Sequence, residues 1–244
     1  MGQLRFHKTV FEQLQNEILQ LQGLRAPLEA ERVSVGLDSL QEAFPDGAFP
    51  LSAVHEFISC TKETAAATTG FMAGLLAPLM HRGCCLWIST RPHPYPPALK
   101  LFGVEPDQVI FVTARKATEA LWAIEEGLKC ATLAAVVGEV PELSFTASRR
   151  LQLAVEQSHV TGLIHRCTAQ PPGIVACTAR WRITPLASSA MEDLPGVGFA
   201  RWQVELLKIR NGKPGIWQVQ WTPQGFAVTL PEKKAPLSAI QKTG

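Results

Sequence analysis

The chain has 244 residues and a mass of 26.6 kDa, enough for one large domain or two small ones with a full hydrophobic core, and this excludes a disulfide-stapled miniprotein. Hydrophobic residues make up 46% and charged residues 18%, a globular rather than a disordered composition. No apolar run of roughly 18 residues or more occurs and no signal-peptide core follows Met1, so a soluble, cytoplasmic protein without a membrane segment is expected. The formal net charge of +2 covers an asymmetry: from Glu142 onward there are 12 Lys+Arg against 6 Asp+Glu, leaving 11 against 15 before it. A basic second half can attract phosphates.

In chain order, Phe6, Val10, Leu14, Ile18 and Leu21 recur at spacings of three and four. They make one apolar stripe on an amphipathic helix within residues 1–25, which needs a surface to cover, either in its own domain or on another protein. Gly23 stops it, and a charged connector with Pro27 follows. From Val54 to Cys167 apolar strands alternate with helices. The expected strands are Val54 to Ile58, Cys84 to Ser89, Val109 to Thr113, Leu133 to Val140 and Gly162 to Cys167. The expected helices are Thr64 to His81, Pro97 to Leu101, Lys116 to Lys129 and Phe145 to Ser158. Short apolar strands separated by amphipathic helices describe an α/β fold with a largely parallel sheet covered on both faces. After Pro172 the pattern becomes consecutive strands, Gly173 to Thr184, Arg201 to Arg210, Gly215 to Thr222 and Phe226 to Leu230, with a turn-rich loop at Asn211 to Gly215. This reads as an antiparallel C-terminal extension closing a core over residues 26–230, and the polar tail 231–244 reads as disordered.

The six cysteines, Cys60, Cys84, Cys85, Cys130, Cys167 and Cys177, form no C-x-x-C pair. Reduced, mostly buried thiols are expected, with no metal site, and His81-x-x-Cys84-Cys85 is set aside because Cys84 and Cys85 point to opposite faces of a strand. Chemistry in such a sheet is expected at the carboxyl ends of the strands. The first strand-to-helix turn runs Ser59-Cys60-Thr61-Lys62-Glu63-Thr64-Ala65-Ala66. It lacks the glycines that let backbone N–H groups cradle phosphates, and its Lys62 precedes the expected helix. No G-x-S-x-G or H-E-x-x-H occurs, and His55 and Glu56 face opposite ways on their strand.

On the strand around Arg180, Thr178, Arg180 and Arg182 alternate to one face and Ala179, Trp181 and Ile183 to the other; Arg149 and Arg150 fall on the watery side of their helix. These four arginines are candidate contacts for a phosphate backbone or an acidic partner. Trp217, Val219 and Trp221, and likewise Trp202, Val204 and Leu206, form strand faces that read as packing between the extension and the core.

A degenerate nucleotide turn inside a parallel α/β core, followed by antiparallel strands, resembles the core of the RecA recombinase family. The stretches Gly36-Leu37-Asp38-Ser39-Leu40, Ala120 to Leu128, Ala134 to Glu139, Thr146 to Ala154, Thr178 to Arg182 and Arg201 to Arg210 with Pro214 to Trp217 resemble more closely the ImuA family, RecA-like and SulA-like proteins of bacterial damage-induced mutagenesis cassettes. The resemblance implies a RecA-like core. The Lys/Thr pair of the RecA-type phosphate loop falls near Ala65 and Ala66, its water-activating Glu at or beside Arg91, and its magnesium-side Asp at Gly138. Ser59, Lys62, Thr64, Ala65 and Ala66 therefore mark a degenerate nucleotide-loop region, and neither ATP hydrolysis nor a cofactor is expected.

What the resemblance implies for function is a non-catalytic accessory protein of a translesion-synthesis complex in the DNA damage response, under SOS control. Its partners would be an ImuB-like Y-family polymerase homologue and a DnaE-type error-prone polymerase, with self-association and weak DNA binding in addition. A SulA-like inhibitor of cell division and a DNA-dependent ATPase with an unusual phosphate loop are the alternatives; the latter would use a site shifted to Lys62 and Glu139, which lacks the backbone glycines.

Overall fold

The computed structural model describes residues 34–170, 173–189 and 198–229. The expected helix carrying Phe6, Val10, Leu14, Ile18 and Leu21 and the expected disordered tail 231–244 lie outside them. Nine strands form one sheet: β1 Val54–Ser59, β2 Cys85–Ser89, β3 Val109–Thr113, β4 Ala135–Val140, β5 Thr161–Cys167, β6 Ala179–Ser189, β7 Phe199–Ile209, β8 Gly215–Thr222 and β9 Gly225–Thr229. Their order is β3-β2-β4-β5-β1-β6-β7-β8-β9. The first six pair in parallel and β7, β8 and β9 are antiparallel. This is the parallel core with an antiparallel extension that the sequence implies.

Parallel neighbours need helical crossovers, and three are long: α1 Lys62–Leu76, α2 Ala117–Lys129 and α3 Phe145–Ser158. Helix α1 packs its Phe71, Met72, Leu75 and Leu76 on one face of the sheet, against Phe57, Trp181, Trp202 and Val204. Helices α2 and α3 cover the other face, where Ile124, Leu128, Leu151 and Val155 meet Val54, Val136 and Ile164. Both faces of β1 and β4 are thereby buried along their whole length, and the polar residues they carry, His55, Glu56, Ser59 and Glu139, are buried with the apolar ones.

Most boundaries move by two residues or fewer, and two expectations shift further. Helix α1 starts at Lys62 rather than Thr64 and ends at Leu76 rather than His81; Pro78 has no N–H to continue the ladder, and the chain goes on as a 3-10 segment to Arg82. The first strand after Pro172 is not antiparallel: β6 lies parallel to β1. It also begins at Ala179 rather than Gly173: the Ala176 backbone is tied to α3, while the Thr178 N–H already donates to Val54 O of β1. The Ala176 N–H bonds the Ser148 hydroxyl of α3 at 2.8 Å, and the Thr178 hydroxyl donates to Gln152 Oε1 at 3.3 Å.

The extension is welded on by aromatic rings. Trp202 pairs across to Val219 and Val204 to Trp217, so the two rows read from the sequence share one face, turned toward α1. A Cβ on Gly74 of α1 would lie 2.6 Å from Phe226 and 2.7 Å from Trp221, so only glycine lets those rings lie on the helix. Trp181 is the hub: fully buried, stacked on Phe57 at 6.2 Å and on Phe49 at 6.2 Å, with its indole N–H donated to His55 Nδ1 at 3.2 Å. Trp181→Ala is expected to cost about 3–5 kcal/mol of unfolding free energy, read as a lowered urea midpoint.

Candidate functional site

The turn after β1 is two residues long, Cys60 and Thr61, and the chain is helical from Lys62. Thr61 caps the helix: its hydroxyl accepts the Thr64 N–H at 3.2 Å, while the Thr64 hydroxyl accepts the Thr61 N–H at 3.1 Å. A phosphate loop works by leaving such N–H groups free around an anion. Here the two threonines occupy one another. Lys62 and Thr64 are spent on starting a helix, Ala65 and Ala66 follow one turn in, and Lys62 is exposed.

Beyond the turn, the carboxyl ends of the strands surround a cleft of about 560 Å³, lined among others by Ala65, Ala66, Arg91, His93, Glu139 and His165. Phe102, Leu99 and Trp202 form its apolar wall. Glu139 lies at the end of β4 and is 7% exposed. Its carboxylate accepts the Trp87 indole N–H at 3.0 Å and the Ser89 hydroxyl at 3.0 Å, with Arg91 Nη2 3.9 Å away. Gly138, one residue earlier, faces the opposite side: a Cβ there would lie 2.3 Å from Ile124. A carboxylate thus reaches the cleft from Glu139, on the face that Gly138 does not present.

From β5, His165 and Cys167 alternate onto the cleft side. His165 Nε2 and the Ser59 hydroxyl share a hydrogen bond of 2.7 Å, and the Cys167 sulfur is 3.1 Å from Ser59 Oγ and 3.3 Å from His165 Nε2. Burial, with the nearby Arg91 charge, pushes His165 down to about 3, so it is a neutral imidazole at physiological pH. A hydrogen bond to Cys167 holds the Arg91 guanidinium above its ordinary pKa. His165 is not among the sequence candidates, and Glu139 is one only as the companion of Lys62 in a shifted nucleotide site. Polar residues at the end of an otherwise apolar strand, His165 and Cys167 two apart, are the signal that marks them. Among the described residues no His/Cys/Asp/Glu group is arranged to hold a metal ion. All six cysteines are free, and only Cys85 and Cys177 are buried, fewer than the sequence led us to expect.

The candidate arginines are spread over the opposite face and mostly engaged. Arg180 Nε bonds Glu56 Oε2 at 2.5 Å and Arg166 Nη1 bonds Oε1 at 2.8 Å; Glu56 is fully buried. Arg182 pairs with Glu205 at 3.1 Å and Arg150 with Glu125 at 2.5 Å. Arg149 is exposed on α3 and, among the described residues, has no carboxylate partner.

The fold and this turn define a class: an α/β protein with a largely parallel sheet and an antiparallel extension, in which the first strand passes through a two-residue turn into a capped helix. No established family profile matches the chain. It is 35% identical over 211 residues to Protein ImuA of Caulobacter vibrioides, from strain NA1000 / CB15N and from strain ATCC 19089 / CIP 103742, covering 81% of this chain and 86% of each relative. The chain belongs to the ImuA family.

Removing the Glu56 carboxylate leaves two arginines without their buried counter-charge. Glu56→Ala is expected to cost about 3–5 kcal/mol, with Glu56→Gln falling between it and the parent in chemical denaturation. The buried histidines set a pH dependence. His55 is pushed down to about 4 by burial, partly offset by its bond to Pro50 O, and His165 to about 3. Their unfolded forms bind protons near pH 6.5, so the stability they lend is complete above that value and lost as pH falls toward their folded pKa values. The loss is at most about 1.4 kcal/mol per pH unit for each. The urea midpoint is expected to fall between about pH 7 and pH 5, and His165→Asn to flatten part of that slope; a midpoint independent of pH would contradict it.

Proposed function

We propose that the protein is a non-catalytic accessory factor of a bacterial translesion-synthesis complex, acting in the DNA damage response through its surfaces rather than through ATP turnover. The observation that carries the non-catalytic half is the two-residue turn closed by Thr61 and Thr64. Phosphoryl transfer depends on an electrostatic clamp and a metal-held phosphate, and at this turn Ala65 and Ala66 stand where the clamp would be. Membership of the ImuA family supports the other half, with an ImuB-type polymerase homologue and a DnaE-type error-prone polymerase as partners, in the cytoplasm and under SOS control. Direct DNA contact is weak in this reading, because Arg150, Arg180 and Arg182 are already paired with carboxylates and Arg149 is the candidate left without one.

The test is hydrolysis of Mg-ATP by the purified full chain with and without single-stranded DNA, beside capture of partners from damaged cells. The expected outcome is no turnover above background together with recovery of an ImuB-type protein. DNA-stimulated turnover lost in Lys62→Ala would instead establish an ATPase with a shifted site.

A further inference from the structure

We propose that Cys167, on the wall of the cleft at the carboxyl ends of the parallel strands, is an oxidative modification site whose thiol is converted by a hydroperoxide to the sulfenic acid. The inference goes beyond the accessory-factor reading and uses none of it.

Three hydrogen-bonding groups converge on this sulfur. The Arg91 guanidinium donates a hydrogen bond to it, Ser59 Oγ lies 3.1 Å away and His165 Nε2 lies 3.3 Å away. The position of the imidazole proton follows from the surroundings of the ring. His165 is 1% exposed, and its Nδ1 meets no partner among the described residues. A buried N–H without a partner is rarer in proteins than an unmet acceptor, so the proton is assigned to Nε2. Nε2 then donates to Ser59 Oγ at 2.7 Å, and the Ser59 hydroxyl proton is left to point at the sulfur. Donors and a cation gathered on one sulfur favour its anionic form, and the thiolate is the nucleophile in thiol chemistry. Burial keeps His165 neutral, with its pKa pushed down to about 3. The imidazole therefore orients the hydroxyl, and the thiol proton leaves to water.

Placement separates Cys167 from the other thiols. Cys85 and Cys177 are buried, and burial pushes each of them up to about 12, which makes them poor nucleophiles. Cys60, Cys84 and Cys130 are exposed. Cys130 is the strictest comparison, because hydrogen bonds from Thr132 hold its thiol below the ordinary value. Cys167 is half-buried and lines the cleft of about 560 Å³, which admits a small neutral oxidant. The thiolate attacks one peroxide oxygen and the O–O bond breaks. The sulfur gives up two electrons, and the other oxygen leaves as hydroxide, which becomes water with the proton that the thiol released. A small thiol reverses the change: it displaces the sulfenic oxygen as water to give a mixed disulfide, and a second thiol molecule frees Cys167.

The test exposes the reduced full chain to hydrogen peroxide with dimedone present, which traps sulfenic acids, and follows the label at each cysteine by peptide mass spectrometry. Cys167 is expected to label roughly tenfold faster than Cys60, Cys84 or Cys130, the scale of one charge-assisted hydrogen bond to the anion. Arg91→Ala, on a side chain 51% exposed, is expected to bring Cys167 down to the rate of the exposed thiols without changing the melting temperature, and Arg91→Lys to keep part of the advantage. The ratio within the parent chain is a test that needs no substitution. Cys167 labelling no faster than the exposed thiols, or a rate unmoved by Arg91→Ala, overturns the proposal.

Discussion

Strand β1 is buried on every residue, hydrogen-bonded to β5 on one side and β6 on the other, and two residues beyond its end the chain is already helical. That abrupt passage from strand to helix is the constraint on which the rest depends. It places the start of α1 at the carboxyl end of a central strand and ties the Thr64 N–H and the N-cap Thr61 N–H to threonine hydroxyls within a two-residue turn. Beside this turn lies a cleft walled by Ala65 and Ala66, with polar groups entering from β4, from β5, from the loop after β2 and, through Thr69, from α1 itself.

The two faces of β1 divide the electrostatics. Residues His55, Phe57 and Ser59 point to the α1 side, where neutral imidazoles, indoles and hydroxyls bond one another in a low-dielectric interior. Glu56 points to the other side and holds Arg166 and Arg180, so the charge of the basic half is partly consumed in structure. A buried pair of this kind contributes little net stability and is costly to break; its consequence is that β5, β1 and β6 stay in one register. Among the described residues that line the cleft, the charged pair is Arg91 and Glu139, 3.9 Å apart.

Part of the fold was legible in the sequence because apolar runs, strand alternation and helical periodicity mark elements that face a core: β3, β8 and α3 coincide with their expected ranges, although each is buried only in part. The direction of β6 was not legible, since a strand of alternating Arg and Trp pairs equally well either way and its neighbour is set by the sheet order. The start of α1 was misplaced by two residues because Lys62 and Glu63 carry no apolar periodicity and the Thr61–Thr64 cap decides the boundary. In the site, Ala65 and Ala66 were found by position and Glu139 only as a companion for Lys62, whereas His165 and Cys167 were hidden at the end of a strand read for its apolar content. Paired charges were equally hidden: Arg180 reads as a free surface residue until Glu56 on the neighbouring strand is seen beneath it.

The central claim, that the capped turn replaces a nucleotide loop, is tested most directly by amide hydrogen exchange over residues 60–66 with and without millimolar Mg-ATP. The account predicts slow exchange at the Thr64 N–H, protected by the Thr61 hydroxyl, and no change on adding nucleotide. New protection confined to this turn in the presence of Mg-ATP would show that the cap opens to receive phosphates, and would contradict it.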